Sequence, residues 1–137
     1  MPVEARQDGF YLRGRRIPVI SGTVHYWRSE KRHWPGILDG VKAAGFGMIE
    51  TYIPWSVHEI EKGVFDFGRI DEKKDLDAFL RLCAVKKLKV LVRPGPHINS
   101  ELTYFGVPPR VTLDPENHVL TGNGAVDFIN VFPENFP

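Results

Sequence analysis

Residues 46–53, Phe46-Gly-Met-Ile-Glu-Thr-Tyr-Ile53, form the stretch that decides the fold. The segment is rich in apolar, β-branched and aromatic residues, which is typical of a strand, and Pro54 ends it. A helix is predicted directly before it, because apolar residues recur at helical spacing up to Gly45, a residue type that commonly ends helices. These apolar residues are Trp34, Ile37, Leu38, Val41 and Ala44.

The same order of elements appears on both sides of this stretch. Residues 19–27 predict an earlier strand, and Ser29 is a suitable N-cap for the helix that follows it. After a loop at residues 55–71, a second helix is predicted, followed by a third strand at residues 89–93. The second helix is marked by Leu76, Phe79, Leu80 and Cys83 and ends at Lys86-Lys87.

Strands that alternate with helices predict parallel βαβ units, which occur in doubly wound sheets and in (β/α)8 barrels. Neither a dinucleotide-binding glycine fingerprint nor a P-loop follows the first strand, and this favours the barrel. A full barrel needs about 250 residues, and this chain has 137. We therefore expect an α/β fold that forms the N-terminal portion, about three βα units, of a (β/α)8 TIM barrel.

The predicted organisation of residues 1–137 is a single partial domain. Residues 1–18 form a leading hairpin folded about Gly14, residues 19–101 form the three βα units, and residues 102–137 form an irregular tail. Such a piece of a barrel leaves an open sheet edge and an uncovered apolar face. Alone, it is therefore expected to be unstable, oligomeric or prone to aggregation.

Composition excludes several classes of function. Lys and Arg number 18 against 17 Asp and Glu, and no basic block stands out, so nothing favours nucleic acid or an anionic membrane as a partner. Cys83 has no disulfide partner and lies in an apolar helical pattern, which predicts a buried packing residue. No metal-binding spacing occurs. Residues 1–10 lack the apolar core of a signal peptide, so a cytoplasmic location is expected.

Three clusters of ring-bearing and hydrogen-bonding residues follow the predicted strands, at residues 25–28, 50–59 and 93–101. Function gathers at the carboxyl ends of strands in α/β folds, and this mixture suits a sugar. Each cluster also has a plainer interpretation. The aromatic residues pack in the core or at its rim, Arg93 is a buried partner of a carboxylate, and residues 58–63 form a solvated loop.

Taken together, the clusters read SGTVHYWR at 21–28, ETYIPWSVHEIEKGVFDF at 50–67 and VLVRPGPHINSE at 90–101. Their order and spacing closely resemble the start of glycoside hydrolase family 35, the β-galactosidases. The resemblance covers about residues 10–113. It implies a barrel enzyme that hydrolyses terminal β-galactosides with retention of configuration, using two glutamates and no cofactor.

The resemblance places both catalytic glutamates beyond the third strand, in segments that this sequence does not match, so no catalytic residue is expected within these 137 residues. It implies instead that the chain carries part of the sugar-binding pocket. Tyr52 and Glu101 match residues that hydrogen-bond galactose, and Ile98, Asn99 and Ser100 match the segment whose backbone lines the pocket. The implied partners are a β-galactoside or a related sugar and the remainder of the barrel.

Departures from the family pattern cluster around the pocket rim, and they leave galactose and glucosamine both open as the sugar. They are His97, Asn99 and Leu102, where Tyr, Cys and Trp are common, together with Ser56 and Ile60, where Asn and Pro are frequent. Two other functions stay open besides the enzyme. They are a module that binds galactosides without cleaving them and a degenerate product without function.

Overall fold

The computed structural model describes residues 3–17, 20–98 and 101–118, and the predictions for Asn99, Ser100 and residues 119–137 lie outside these ranges. The chain divides into two compact units, Met1–Tyr52 with Asp66–Arg93, and Ile53–Phe65 with Pro94–Pro137. Its strands are β1 Glu4–Arg6, β2 Gly9–Leu12, β3 Arg15–Ile17, β4 Gly22–Thr23, β5 Met48–Ile53, β6 Glu59–Glu61, β7 Val64–Phe65 and β8 Lys89–Pro94. Its α-helices are α1 Trp34–Ala43, α2 Trp55–His58, α3 Leu76–Val85 and α4 Pro109–Thr112.

The leading hairpin is present as predicted. Strands β2 and β3 pair antiparallel with Leu12 opposite Arg15, and Gly14 takes a positive φ of 73° in the turn between them. Strand β1 adds to the other side of β2, which the sequence did not predict. Its three residues are all exposed, so they carry no apolar alternation that could have indicated a strand.

The second sheet of the first unit has the order β4-β5-β8, and β4 pairs parallel to β5. The strand predicted at residues 46–53 is confirmed as Met48–Ile53, and the one predicted at residues 89–93 as Lys89–Pro94. The strand predicted at residues 19–27 is much shorter. It spans only Gly22–Thr23, because the chain turns into a 3-10 helix at Tyr26–Arg28 and buries Tyr26 completely.

Helices α1 and α3 lie close to their predicted positions. Helix α1 ends as expected, with Gly45 at a φ of 90° and the Phe46 N–H donating to the Val41 carbonyl at 3.2 Å. The predicted N-cap at Ser29 is wrong, because a separate 3-10 turn at Lys31–His33 lies between Ser29 and the helix.

Three aromatic rings form the centre of the first unit. The Phe79 ring lies 5.3 Å from the rings of both Tyr26 and Trp34, and the Trp34 Nε1–H donates to the Tyr26 carbonyl at 3.1 Å. Cys83 packs in the same core, as predicted, and burial raises the pKa of its thiol to about 11. The thiol therefore stays protonated at neutral pH and acts as an apolar packing group.

The region predicted as a loop at residues 55–71 contains local structure. In the second unit, α2 is followed by the hairpin of β6 and β7, with Gly63 at a φ of 77° in its turn. In the first unit, the buried Asp66 carboxylate accepts hydrogen bonds from the backbone N–H groups of residues 68–71. One carboxylate can organise such a turn because it offers about four acceptor sites to otherwise unpaired backbone donors.

The described part of the predicted tail is built from single turns, namely α4 and the 3-10 helices Thr103–Gly106 and Pro115–Asn117. None of the helices within the described ranges has the length and apolar character needed to cross a membrane. Helices and strands are mixed along the chain, as an α/β fold requires. The closure of three βα units as part of a barrel and the single-domain organisation stay predictions.

Candidate functional site

Arg93 joins two strands at their carboxyl ends in the first unit. Its Nη1 donates to Glu50 Oε1 at 2.9 Å and to the Tyr52 hydroxyl oxygen at 3.0 Å, and its guanidinium carbon lies 4.9 Å from the centre of the Tyr52 ring. The predicted pairing of Arg93 with a carboxylate is therefore present. Arg93 is not buried, however, since its side chain is 54% exposed, whereas that of Glu50 is 18% exposed.

Tyr52 lies in a row of rings at this end of the sheet. Tyr52 is 9% exposed, and its ring centre lies 4.9 Å from that of His25. The centre of the His25 ring lies 4.7 Å from that of Trp27. The order of the chain explains this arrangement. His25 and Trp27 follow β4, and Tyr52 is near the end of the neighbouring β5, so parallel pairing places them at one edge.

The charge of Arg93 is fixed by its surroundings. The hydrogen bond to Glu50 and the neighbouring Tyr52 raise the pKa of the guanidinium above its ordinary value. A cation that carries only hydrogen-bond donors therefore stands beside the phenol and the carboxylate at every accessible pH. Such a group of donors and acceptors, beside aromatic rings, is chemically suited to hold the hydroxyl groups of a sugar.

A second ion pair organises the second unit. Glu59 accepts hydrogen bonds from Arg110 Nη2 at 2.6 Å, from Arg110 Nε at 3.1 Å and from the Gly63 backbone N–H at 2.7 Å. The Arg110 guanidinium also lies 5.3 Å from the centre of the Trp55 ring. The Arg110 hydrogen bond, more than any other contact, holds the pKa of Glu59 below its ordinary value.

The prediction that residues 58–63 are solvent-exposed is therefore wrong for His58 and Glu59. His58 is 1% exposed, and the Glu59 side chain is 3% exposed. The Glu59 carboxylate accepts hydrogen bonds from Arg110, which lies 51 positions later in the chain. A contact between residues so far apart leaves no signal in the local sequence pattern.

Ile98 and Glu101 lie in the second unit, on either side of Asn99 and Ser100, which are outside the described ranges. Ile98 is 4% exposed, and its backbone N–H donates to the Phe105 carbonyl at 2.8 Å. Glu101 is exposed and has a positive φ of 48°. His97, a departure from the family pattern, packs its ring 4.7 Å from that of Phe105.

The structure thus places Tyr52 in the first unit and Ile98 and Glu101 in the second. Sequence reasoning selected Tyr52 but missed its link to Arg93, although both residues stand near the ends of predicted strands. In the part of the chain that the structure describes, no three His, Cys, Asp or Glu side chains gather as a metal site. The expected lack of a cofactor stays a prediction.

Comparison with known proteins supports the family resemblance that the sequence motifs indicate. Residues 9–124 match the model of glycosyl hydrolases family 35. A Rattus norvegicus protein named Beta-galactosidase-1-like protein 3 is 36% identical over 130 residues, which is 95% of this chain and 20% of that protein.

Two microbial relatives carry other names. An Exo-beta-D-glucosaminidase of Pyrococcus horikoshii is 36% identical over 127 residues, 90% of this chain and 16% of that protein. A Beta-1,2-glucosyltransferase of Ignavibacterium album is 39% identical over 133 residues, 93% of this chain and 19% of that protein. The chain therefore spans about one fifth of the length of the relatives it matches. The match over residues 9–124 shows that the chain belongs to glycosyl hydrolases family 35.

Proposed function

We propose that the chain contributes part of the sugar-binding pocket of a retaining glycoside hydrolase that removes terminal β-galactosyl groups. The observation that carries the proposal is the buried Tyr52, whose hydroxyl oxygen is held by Arg93 at 3.0 Å in a row of aromatic rings at the carboxyl end of β5. Family membership supports a glycosidase, and several relatives are named as β-galactosidase-like proteins. In the proposed enzyme, residues 19–101 form three βα units of a (β/α)8 barrel.

The chain's own residues bind the sugar and do not perform the chemistry. Retaining hydrolysis needs two carboxyl groups about 5 Å apart, one of them a general acid with a raised pKa. Glu59 is unsuited to that role, because Arg110 lowers its pKa and occupies both of its oxygens. Glu50 is likewise engaged by Arg93. We assign both catalytic glutamates to segments outside residues 1–137.

Tyr52 and Glu101 are the proposed recognition residues. The Tyr52 hydroxyl and the exposed Glu101 carboxylate each hydrogen-bond sugar hydroxyls. A hydrogen bond to a charged group contributes about 1.5–3 kcal/mol, so Glu101 is expected to supply the larger share of the binding free energy. Buried Ile98 fixes the backbone at the start of the segment that runs through Asn99 and Ser100 to Glu101.

This proposal is tested by ligand-observed NMR, which measures the binding of methyl β-galactoside to this chain joined to the segments that complete the barrel. The substitutions Tyr52→Phe and Glu101→Gln are each expected to weaken binding by about fivefold or more, because the first removes the hydroxyl and the second removes the negative charge that strengthens the hydrogen bonds. Tyr11→Phe and Glu116→Gln are the matched controls, because they make the same chemical changes at other sites. Equal weakening in the controls, or unchanged affinity in the site variants, contradicts the proposal.

The same titration separates the alternatives. The relative named as an exo-β-D-glucosaminidase and the altered rim residues His97 and Leu102 favour glucosamine as the second candidate sugar, so tighter binding of methyl β-glucosaminide would replace galactose in the proposal. Hydrolysis of p-nitrophenyl β-galactoside is expected only when segments that supply both carboxylates are joined to this chain. Binding without hydrolysis after such joining indicates a non-catalytic module, and no binding of either sugar indicates a degenerate product.

A further inference from the structure

Arg93 constrains the direction of the hydrogen bonds that Tyr52 can make. A guanidinium has five N–H donors and no acceptor, whereas a phenol has one O–H donor and two lone pairs. At the observed 3.0 Å between Arg93 Nη1 and the Tyr52 oxygen, the arginine must donate and the tyrosine must accept. The proton of the Tyr52 hydroxyl is therefore left for another partner.

The arginine is itself held in place from two directions. Glu50 accepts from the same Nη1 at 2.9 Å, and the guanidinium carbon lies 4.9 Å from the centre of the Tyr52 ring. The Glu50 side chain is 18% exposed, so this carboxylate is poorly placed to exchange its partner for water. Because one nitrogen serves both acceptors, the phenol and the carboxylate are fixed relative to each other.

The hydroxyl proton of Tyr52 has no acceptor among residues 3–17, 20–98 and 101–118. It is also repelled by the guanidinium N–H groups, whose positive ends point at the phenol oxygen. Resting on the proposed function, we infer that Arg93 is a positioning residue that makes Tyr52 a hydrogen-bond donor to the bound sugar, so that the atom recognised by Tyr52 is an oxygen acceptor.

The inference predicts which sugar groups can bind beside the Tyr52 hydroxyl. An oxygen of a neutral hydroxyl, glycosidic or ring ether group can accept from Tyr52, whereas an ammonium group cannot, because it has no lone pair. The fixed positive charge of Arg93 adds repulsion against a cationic sugar at the same place. Neutral galactosides are therefore favoured at this position over sugars with a protonated amine.

Monodeoxy and monodeoxyfluoro analogues of methyl β-galactoside provide the test, with affinities measured by ligand-observed NMR. A fluorine keeps weak acceptor character and cannot donate, whereas a hydrogen does neither. In the unsubstituted protein, one ring position is expected to lose about fivefold in affinity in its deoxy form and to recover part of that loss in its fluoro form. Tyr52→Phe is expected to abolish the contrast between these two analogues.

The decisive variant is Arg93→Met, which removes the donor and frees the phenol to rotate. The contrast between deoxy and fluoro analogues is expected to shrink by at least half, and Arg93→Lys is expected to restore it, because an ammonium also donates to the phenol. Arg81→Met is the control, since it removes another ion-paired arginine of the first unit, the partner of Asp77. The 13Cζ chemical shift of Tyr52 is expected to move in Arg93→Met and to stay unchanged in Arg81→Met.

The outcomes separate the inference from the proposed function. If the unsubstituted protein binds none of the galactosides, the proposed function fails, and the inference that rests on it fails as well. If galactosides bind and the contrast persists in a folded Arg93→Met variant, only the inference fails. Should Arg93→Met not fold, a contrast in Arg93→Lys equal to that of the unsubstituted protein supports the inference, and its loss overturns it.

Discussion

The two units of this chain differ in the interactions within each of them. Within residues 3–17, 20–98 and 101–118, the three largest fully buried side chains are those of Trp34, Tyr26 and Phe79, which all lie in the first unit and contact one another. The second unit buries smaller apolar side chains, and it contains the Glu59–Arg110 ion pair and a tight turn at Gly106. Apolar burial depends little on pH or salt, whereas an ion pair depends on both. Substitutions should therefore affect the two units in different ways.

The largest effect is expected in the aromatic core of the first unit. Phe79→Ala removes a ring that is fully buried and contacts both Tyr26 and Trp34. The free energy of unfolding is expected to fall by about 3–5 kcal/mol, because the substitution loses apolar burial and leaves a cavity. Urea denaturation measures this change.

Val85→Ala is the control for this substitution, because Val85 lies on the same helix but is 78% exposed. Its effect should stay within about 0.5 kcal/mol. A loss for Phe79→Ala no larger than that of the control would show that the ring cluster does not stabilise the first unit.

The next largest effect on stability is expected at the Gly106 turn of the second unit. Gly106 has a φ of 83°, and a Cβ built on it would lie 2.9 Å from Cγ1 of buried Ile98. Gly106→Ala is therefore expected to lower the free energy of unfolding by about 1–3 kcal/mol. Because Ile98 begins the proposed pocket segment, galactoside affinity should fall with it.

Gly40→Ala is the matched control in the first unit. Gly40 lies inside α1, and a Cβ there meets nothing within 4 Å. Alanine is the better helix former, so stability is expected to rise by about 0.5–1 kcal/mol. Thermal denaturation that shows the same sign for both variants would contradict the distinction between the two glycines.

A smaller effect is expected at the ion pair of the second unit. Glu59→Gln keeps the shape of the side chain but removes its charge, and it should cost about 1 kcal/mol, allowing for the partial exposure of Arg110. Since Arg110 lowers the pKa of Glu59, the stabilisation is present above the ordinary glutamate pKa and is lost as the pH falls through the lowered value.

Stability curves between pH 2 and pH 7 measure this prediction. Glu59→Gln should flatten the acid limb, whereas the exposed Glu61→Gln should not. Parallel curves for the unsubstituted protein and Glu59→Gln would show that the ion pair adds nothing to stability.

The smallest effect is expected at Asp75 in the first unit. Asp75 caps α3 by accepting from the Ala78 N–H at 2.9 Å and pairs with Lys31 at 2.5 Å. Asn caps helices about as well as Asp, so Asp75→Asn removes only the ion pair and should cost less than about 1 kcal/mol at neutral pH. Asp75→Ala, which also loses the cap, should cost more.

The pH dependence of Asp75→Asn sharpens the comparison. The Lys31 hydrogen bond lowers the pKa of Asp75 below its ordinary 3.8. The stabilisation is therefore lost only as the pH falls below about 4. Differential scanning calorimetry should show the two proteins converging in stability at lower pH, and a constant difference would exclude the ion pair as its cause.

The sequence by itself determined the elements whose patterns are local. Apolar spacing located α1 and α3, the apolar strand β5 ended at Pro54 as predicted, and three ordered motifs identified the family. The choice of Tyr52 as a pocket residue also comes from its motif, and it stays a prediction. These features depend on residues that are close in the chain, so the sequence pattern alone is enough to predict them.

Only the tertiary structure decided which side chains meet. Arg93 reaches Tyr52 across 41 positions and Arg110 reaches Glu59 across 51, so neither pairing leaves a periodic trace in the sequence. The strand predicted at residues 19–27 was shortened for a related reason, because Tyr26 packs into a core formed by later helices. Local sequence propensity predicts that a helix or strand is present. Burial against residues distant in the chain determines where that element ends and what its side chains contact.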